Sequence, residues 1–133
     1  MIVLTLLTCL GWFYRRMELY NIQVNNLEQS KFLYHELTKF KTAHGTYPFY
    51  LNDLPVDRGQ RARGAVPVDY WGHPLYFEAR NDSFILISFG RDGKPDGLDY
   101  WSLREKGEDV SICHDWDADQ VMSDRWFHRE CGK

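Results

Sequence analysis

Aspartates cluster in two short segments of the C-terminal third, and the chemistry open to them is calcium binding. Ca²⁺ takes about six to eight oxygen ligands from carboxylates and backbone carbonyls, and loops that contain glycine let carbonyls turn inward. Neither segment has the spacing of an EF-hand loop. The alternative is that the aspartates cap turns and solvate loops, where Asp is common. The segments read DGKPDGLD and DWDAD, with Asp92, Asp96, Asp99, Asp115, Asp117 and Asp119 as their aspartates.

The three cysteines fall into two groups. Cys113 and Cys131 lie within the last 21 residues, in polar, loop-like sequence. In an extracytoplasmic domain they would form a disulfide that closes a loop of 17 intervening residues. Such a closure contributes about 3 kcal/mol in the chain-entropy model. In a cytosolic protein the same pair would be free thiols. Cys9 lies in an apolar run, which predicts a small, buried, inert thiol.

Catalysis and nucleic-acid binding are both disfavoured. Cys113 stands beside His114, and a Cys–His pair can act as a nucleophile. However, no motif for a strained nucleophile turn or an oxyanion hole is present, and a disulfide would consume Cys113. The net charge is −3 and the 16 basic residues are dispersed, which argues against binding to a phosphate backbone. We therefore expect no enzyme, no small-molecule substrate and no nucleic-acid partner.

The N-terminal segment is apolar and ends abruptly. Residues 2–14 (IVLTLLTCLGWFY) carry no charge, and Arg15 and Arg16 follow directly. Thirteen helical residues span about 20 Å, compared with about 30 Å for the hydrocarbon core of a bilayer. We interpret residues 1–16 as a short membrane anchor; the alternative is an apolar helix packed into a partner. Residues 17–133 then form an extracytoplasmic domain.

The elements of that domain are predicted from changes in periodicity. Apolar residues such as Leu27, Leu33 and Leu37 recur at helical spacing to about residue 43. Gly45 should end the helix by adopting the left-handed C′ conformation. Residues 45–74 read as an ordered loop with one helical turn near residues 51–54.

Beyond this loop the period becomes that of strands. Residues 75–89 predict a β-hairpin that turns at Asn81-Asp82, and its second strand is apolar enough to be covered on both faces. An Asp-rich loop and tail, residues 90–133, contain further candidate strands at residues 110–112 and 126–130. The predicted class is α+β, with a long N-terminal helix packed on a small antiparallel sheet.

Three motifs occur in order along the chain: Gly45-Thr46-Tyr47-Pro48, then DYWGHPLY at residues 69–76, then Ser88-Phe89-Gly90-Arg91-Asp92-Gly93. Together they resemble the major pseudopilin family of type II secretion, over roughly residues 15–99. The family's prepilin peptidase signature does not occur in this sequence, and Tyr70 stands where the family has Pro. The resemblance implies the pseudopilin fold.

The resemblance also implies a calcium site in the loop after the second strand. By motif match Ser88 and Asp92 would be ligands. The remaining ligands are left open between Asp96 with Asp99 and Asp117 with Asp119.

The function that the resemblance implies is structural. The chain would be a pseudopilin-like subunit, anchored in the bacterial inner membrane with its globular domain in the periplasm. It would assemble through the N-terminal helix with other pseudopilins or inner-membrane secretion subunits, and calcium would stabilise it. The alternative is a stand-alone, membrane-anchored, Ca²⁺-stabilised binding module that enters no pilus.

Overall fold

The protein has an α+β fold in which one long helix lies against a three-stranded antiparallel sheet. A computed structural model describes residues 2–55, 67–106, 117 and 119–124. Within these residues the strand order is β1-β2-β3, with each neighbouring pair antiparallel. The elements are α1 (Ile2–His44), a 3-10 turn (Leu51–Asp53), β1 (Tyr76–Arg80), β2 (Ser83–Ser88), α2 (Tyr100–Lys106) and β3 (Gln120–Ser123).

Helix α1 ends where the sequence predicts. Gly45 has φ of 83°, and its amide donates a 2.7 Å hydrogen bond to the carbonyl of Lys41. A residue without Cβ takes this left-handed conformation at little cost, so the helix stops at His44. The 3-10 turn that follows lies within the predicted helical turn near residues 51–54, and Leu51 is buried there.

The two halves of α1 have different surroundings. From Gln23 onward one stripe of the helix is buried, and Leu33 and Leu37 pack with Phe84 and Leu86 of β2. Residues 2–18 are all exposed, although most of them are apolar. In the described ranges no helix is both long enough and apolar enough to cross a membrane.

Strand β2 is the centre of the molecule, because both of its faces are covered. Phe84 and Leu86 face the cluster that includes α1, whereas Ile85 and Ile87 pack with Val121 of β3 on the other side. Tyr100 and Trp101 of α2 complete this second cluster. The continuous apolar run thus forms a strand covered on both faces, as predicted.

Polar residues of α1 hold the loop that precedes the hairpin. The Asn26 side-chain oxygen accepts a 2.6 Å hydrogen bond from the Tyr70 amide, and Asn26 is 1% exposed. The Gln29 side-chain amide donates to the Val68 carbonyl over 2.8 Å. Fixing this loop matters for the candidate site, because Asp69 lies between its two contacts.

Three expectations need correction or cannot be compared. The prediction for residues 90–133, an Asp-rich loop and tail with candidate strands at residues 110–112 and 126–130, did not include α2 or a strand at Gln120–Ser123, and both form there. Cys9 was predicted to be buried, yet its thiol is free and exposed. The candidate strands at residues 110–112 and 126–130 lie outside the described residues, as do Cys113 and Cys131.

Candidate functional site

Ser88, a calcium ligand by motif match, lies at the end of β2 beside a buried carboxylate. Its hydroxyl donates a 2.6 Å hydrogen bond to Oδ2 of Asp69. Oδ1 of Asp69 accepts hydrogen bonds from the amides of Trp71 and His73, at 3.0 and 2.8 Å. Asp69 is 3% exposed, so these bonds provide the partners that a buried carboxylate requires. Ser88 therefore anchors the loop at residues 69–73.

That loop in turn touches the turn that carries Asp92. Nε2 of His73 lies 3.0 Å from the Arg91 carbonyl oxygen. Gly93 has φ of 66°, and a Cβ placed on it would come within 2.7 Å of the His73 ring. Glycine is required here both by its backbone conformation and by the close approach of the ring. The Asp-rich loop is thereby held against the loop at residues 69–73.

Three of the candidate aspartates have a backbone amide or an arginine as their partner. Oδ1 of Asp92 accepts the Lys94 amide at 2.9 Å, which closes an Asx turn. Oδ1 of Asp99 accepts the Ser102 amide at 3.0 Å, so Asp99 caps the N-terminus of α2. Asp117 pairs with Arg91 through two bonds of 2.9 and 3.0 Å. That guanidinium, through its hydrogen bonds, lowers the pKa of the Asp117 carboxyl.

Asp115 lies outside the described residues, and the other two aspartates, Asp96 and Asp119, bind each other's backbone. The Asp96 amide donates to Oδ2 of Asp119 at 3.0 Å, and the Asp119 amide donates to Oδ2 of Asp96 at 2.8 Å. This reciprocal pair joins the loop after β2 to the residue before β3. Two carboxylates are therefore held side by side by residues that are 23 positions apart.

Asp119 is the most unusual carboxylate of the group. It is 1% exposed, and its Oδ2 also accepts the Tyr100 hydroxyl. Burial raises the pKa of the Asp119 carboxyl; the Tyr100 hydrogen bond opposes the shift, while the nearby charges of Asp96 and Asp92 add to it. Within the described part of the chain its second oxygen, Oδ1, is buried and has no hydrogen-bond partner.

A buried carboxylate oxygen without a partner costs free energy unless a cation or a donor meets it. Asp119 Oδ1 has this character, and the charges of Asp92 and Asp96 lie close enough to raise the pKa of its carboxyl. The donors are hard oxygens, which suit Ca²⁺ or Mg²⁺ rather than a soft metal. The chemistry of these residues is compatible with a calcium ion, which Asp119 and Asp96 would hold with Asp92 near them.

Side chains alone would not complete such a site. Across residues 2–55, 67–106, 117 and 119–124, no group of three or more His, Cys, Asp or Glu side chains is placed to hold a metal. Backbone carbonyls would have to supply the other ligands, as they commonly do for calcium. The positive φ angles of Gly90, Gly93 and Gly97, at 72°, 66° and 73°, give this loop the conformational range that turning carbonyls requires.

The site residues predicted from the sequence thus fall into two groups in the structure, those that lie together and those that have other partners. It brings Asp96 and Asp119 together, with Asp92 near them, whereas Asp99 and Asp117 are engaged elsewhere and Ser88 is bonded to Asp69. Sequence reasoning missed Asp69 and Tyr100 as site residues. Asp69 could have been found, because Asp at the first position of a turn with Gly three residues later is typical of type I β-turns. Nothing in the sequence indicates that Tyr100 reaches Asp119.

No protein family model matches the chain, and neither the curated proteins nor the solved structures contain a significant match to it.

Proposed function

We propose that this chain is a structural subunit of the pseudopilin type, associated with type II secretion. It would assemble through the N-terminal segment of α1, residues 2–16, which we call the apolar half. That half would lie in a membrane or in the core of a filament, with the globular domain on the periplasmic side. A calcium ion in the Asp-rich loops would stabilise the domain. The proposal gives the chain a role in assembly and no catalytic role.

One observation carries the proposal: α1 contributes to the core with only its second half. Ile2, Leu7 and Phe13 are 77, 61 and 56% exposed, although large apolar side chains in water favour association or insertion. In the described part of the chain, every buried residue of α1 lies from Gln23 onward. An exposed apolar half that extends beyond the packed domain favours contact with a membrane or with another protein.

The three sequence motifs support the pseudopilin type in particular. Each has a structural counterpart: Gly45 ends α1, the 69–76 segment leads into β1, and Ser88 ties that segment to the end of β2. The arrangement of a long helix followed by a small antiparallel sheet agrees with the fold that the resemblance implies.

The calcium component rests on a separate observation, the buried Oδ1 of Asp119. A Ca²⁺ ion there would neutralise the repulsion between Asp119 and Asp96 and give the unpartnered oxygen a ligand bond. The ion would also link the loop after β2 to β3, because the two aspartates belong to those two segments. Calcium would then stabilise the domain in proportion to the logarithm of its free concentration above the dissociation constant.

A second candidate is a stand-alone anchored module that uses the same domain without entering a pilus. It is favoured by the two core clusters of the described residues, which include none of residues 2–22. In that case the apolar half would only hold a monomeric domain at the membrane. The two candidates differ in whether the chain forms oligomers with other copies of itself.

The test is the size of the complexes that a mild detergent releases from membranes containing the full chain. We expect oligomers for the wild type and a shift to monomers for Leu7→Glu, because a charge would be placed in the contact. The matched control is Phe32→Glu, since Phe32 is an exposed apolar residue, 38% exposed, on the packed half of the same helix. Monomers from the wild type, or equal loss from both variants, would contradict assembly through the apolar half.

A further inference from the structure

The apolar half of α1 ends in five consecutive residues that we call the collar: Trp12, Phe13, Tyr14, Arg15 and Arg16. Successive helical residues are turned by about 100°, so five of them encircle the helix completely. The three aromatic side chains are 64, 56 and 70% exposed. The helix therefore passes from an uncharged, mostly apolar surface, through a band of aromatic residues, to a cationic surface within about two turns.

Two residues of the collar, Arg16 and Trp12, contact each other. The Arg16 guanidinium lies 5.1 Å from the centroid of the Trp12 ring, within the range of a cation–π interaction. The nearest acidic residue, Glu18, forms no ion pair with either arginine in the described structure. Both guanidinium groups are thus available to an anion outside the chain.

We infer that the collar binds a bilayer surface that contains anionic lipids, with the arginines at the level of the phosphates. This deepens the proposed function and rests on its placing the apolar half of α1 in a membrane. Trp and Tyr side chains favour the membrane–water interface, and the segment just before them, residues 2–11, carries no charge. A bilayer offers a hydrocarbon core, an interface and a charged headgroup layer, at depths that match the apolar segment, the aromatic residues and the arginines.

Charge complementarity favours lipid over a second copy of the chain as the occupant of the collar. Copies assembled side by side in register would bring their arginine pairs to the same height, where like charges repel. Anionic headgroups supply the counter-charge at that height. Each arginine near such a surface strengthens binding about fivefold at physiological salt, so the pair should contribute about 10- to 30-fold.

The experiment measures binding of the full chain to vesicles of phosphatidylcholine and to vesicles in which about one lipid in three is phosphatidylglycerol. We expect the wild type to bind the anionic vesicles about 10- to 30-fold more tightly at physiological salt. The preference should shrink at high salt, which screens surface charges. Arg15→Gln/Arg16→Gln should bind both kinds of vesicle about equally, still through its apolar segment.

A charge-matched control removes two lysines elsewhere. Lys39→Gln/Lys106→Gln takes away the same charge from the far end of α1 and from α2, and should keep the preference for anionic vesicles. Equal binding of the wild type to both compositions, or a preference that persists without Arg15 and Arg16, would overturn the inference. Neither result would contradict the proposed assembly, because the oligomer test measures contacts between subunits and not lipid binding. Failure to bind any vesicle would overturn the inference and also the membrane setting of the proposed function.

Discussion

At the scale of single residues, Asp119 connects the chemistry of the site to the stability of the domain. It is the buried carboxylate whose second oxygen has no partner in the described chain, and Asp96 lies against it. Without a cation the two charges repel, which makes ionised Asp119 a destabilising group. With a cation the same arrangement becomes a binding site.

The first prediction is that Asp119→Asn abolishes stabilisation by calcium. The amide cannot supply a charged ligand, whereas its oxygen can still accept from Tyr100 and the Asp96 amide. We expect millimolar Ca²⁺ to raise the melting temperature of the wild-type chain and to leave that of the variant unchanged. In a chelator the variant should melt at or above the wild type, because a buried charge has been removed. Thermal unfolding of the full chain in detergent measures both effects.

Asp99→Asn and Asp117→Asn serve as controls for this prediction. Asp99 caps α2 and Asp117 pairs with Arg91, so both variants should keep the calcium response. A wild type that does not respond to calcium would refute the site. A response lost equally in all three variants would show that the ion does not depend on Asp119 in particular.

The second prediction concerns pH in the absence of calcium. The pKa of the Asp119 carboxyl is raised in the folded state, mainly by burial, so the folded chain holds this proton more tightly than the unfolded chain. Stability should therefore fall as pH rises through the unfolded value of about 4 toward the raised pKa. Urea unfolding at a series of pH values, in a chelator, should show that Asp119→Asn becomes more stable relative to the wild type over this window. A constant difference would be inconsistent with the raised pKa.

The site could be predicted from the sequence only in part at this scale. The motifs and the Asp-rich composition indicate the loop that contains the candidate site, and Asp96 and Asp119 are among the predicted residues. The sequence does not indicate that Asp99 caps a helix or that Asp117 meets Arg91. Those roles depend on contacts between residues that are distant in the chain, and aspartates that cap, pair or ligate look alike in composition.

At the scale of elements, a largely buried ion pair joins α2 to the hairpin and to Asp124, the residue that follows β3. The Arg104 guanidinium makes bonds of 2.8 and 2.7 Å to the carboxylate of Asp124 and a 2.7 Å bond to the Ser83 hydroxyl. The Phe84 amide donates to the same carboxylate at 3.0 Å. Burial acts to raise the pKa of the Asp124 carboxyl, but the hydrogen bonds from Arg104 and the Phe84 amide outweigh it and lower the pKa.

The third prediction follows from this pair. Arg104→Gln leaves the Asp124 carboxylate with too few partners, and we expect a loss of about 2–4 kcal/mol in the free energy of unfolding. Urea denaturation at neutral pH measures the loss. The matched control is Arg91→Gln, which breaks a similar two-bond pair with Asp117 at the surface and should cost much less. Equal losses for the two variants would show that burial does not set the strength of the Arg104 pair.

The fourth prediction separates the two halves of α1. Leu37 is fully buried against the sheet, so Leu37→Ala should lower the free energy of unfolding by about 2–5 kcal/mol. Leu7 is 61% exposed, so Leu7→Ala should change it by less than about 0.5 kcal/mol. Urea denaturation of the full chain in detergent compares them. A large loss for Leu7→Ala would mean that the apolar half belongs to the core of the domain.

Most elements were predictable because their local patterns are strong. Helical spacing and Gly45 define the end of α1, and strand periodicity around Asn81-Asp82 defines the hairpin. Helix α2 was missed because its segment follows a loop rich in Gly and Asp, and only seven residues are helical. Part of the buried face of α1 was also unpredictable, since Gln23 and Asn26 are buried there despite their polarity. Tertiary hydrogen bonds such as the Asn26–Tyr70 contact determine that burial.

At the scale of the whole molecule, the chain combines a self-contained domain with a helix that extends an unpartnered apolar half. Among the described residues, the two core clusters use α1, both strands of the hairpin and β3, and include none of residues 2–22. The apolar half is therefore free to contact a membrane, a filament core, or both. Its purpose in the proposed function is to bring copies together.

Cys9 offers the most direct measurement of that contact, because its thiol is exposed in the middle of the apolar half. A short bifunctional maleimide is added to membranes that contain the full chain. We predict a cross-linked dimer, one link joining the Cys9 thiols of two chains, that disappears in Cys9→Ser and does not return when Lys39→Cys is added to that variant. Absence of the cross-linked dimer from wild-type membranes, or an equal yield of dimer through position 39, would contradict assembly through the apolar half of α1.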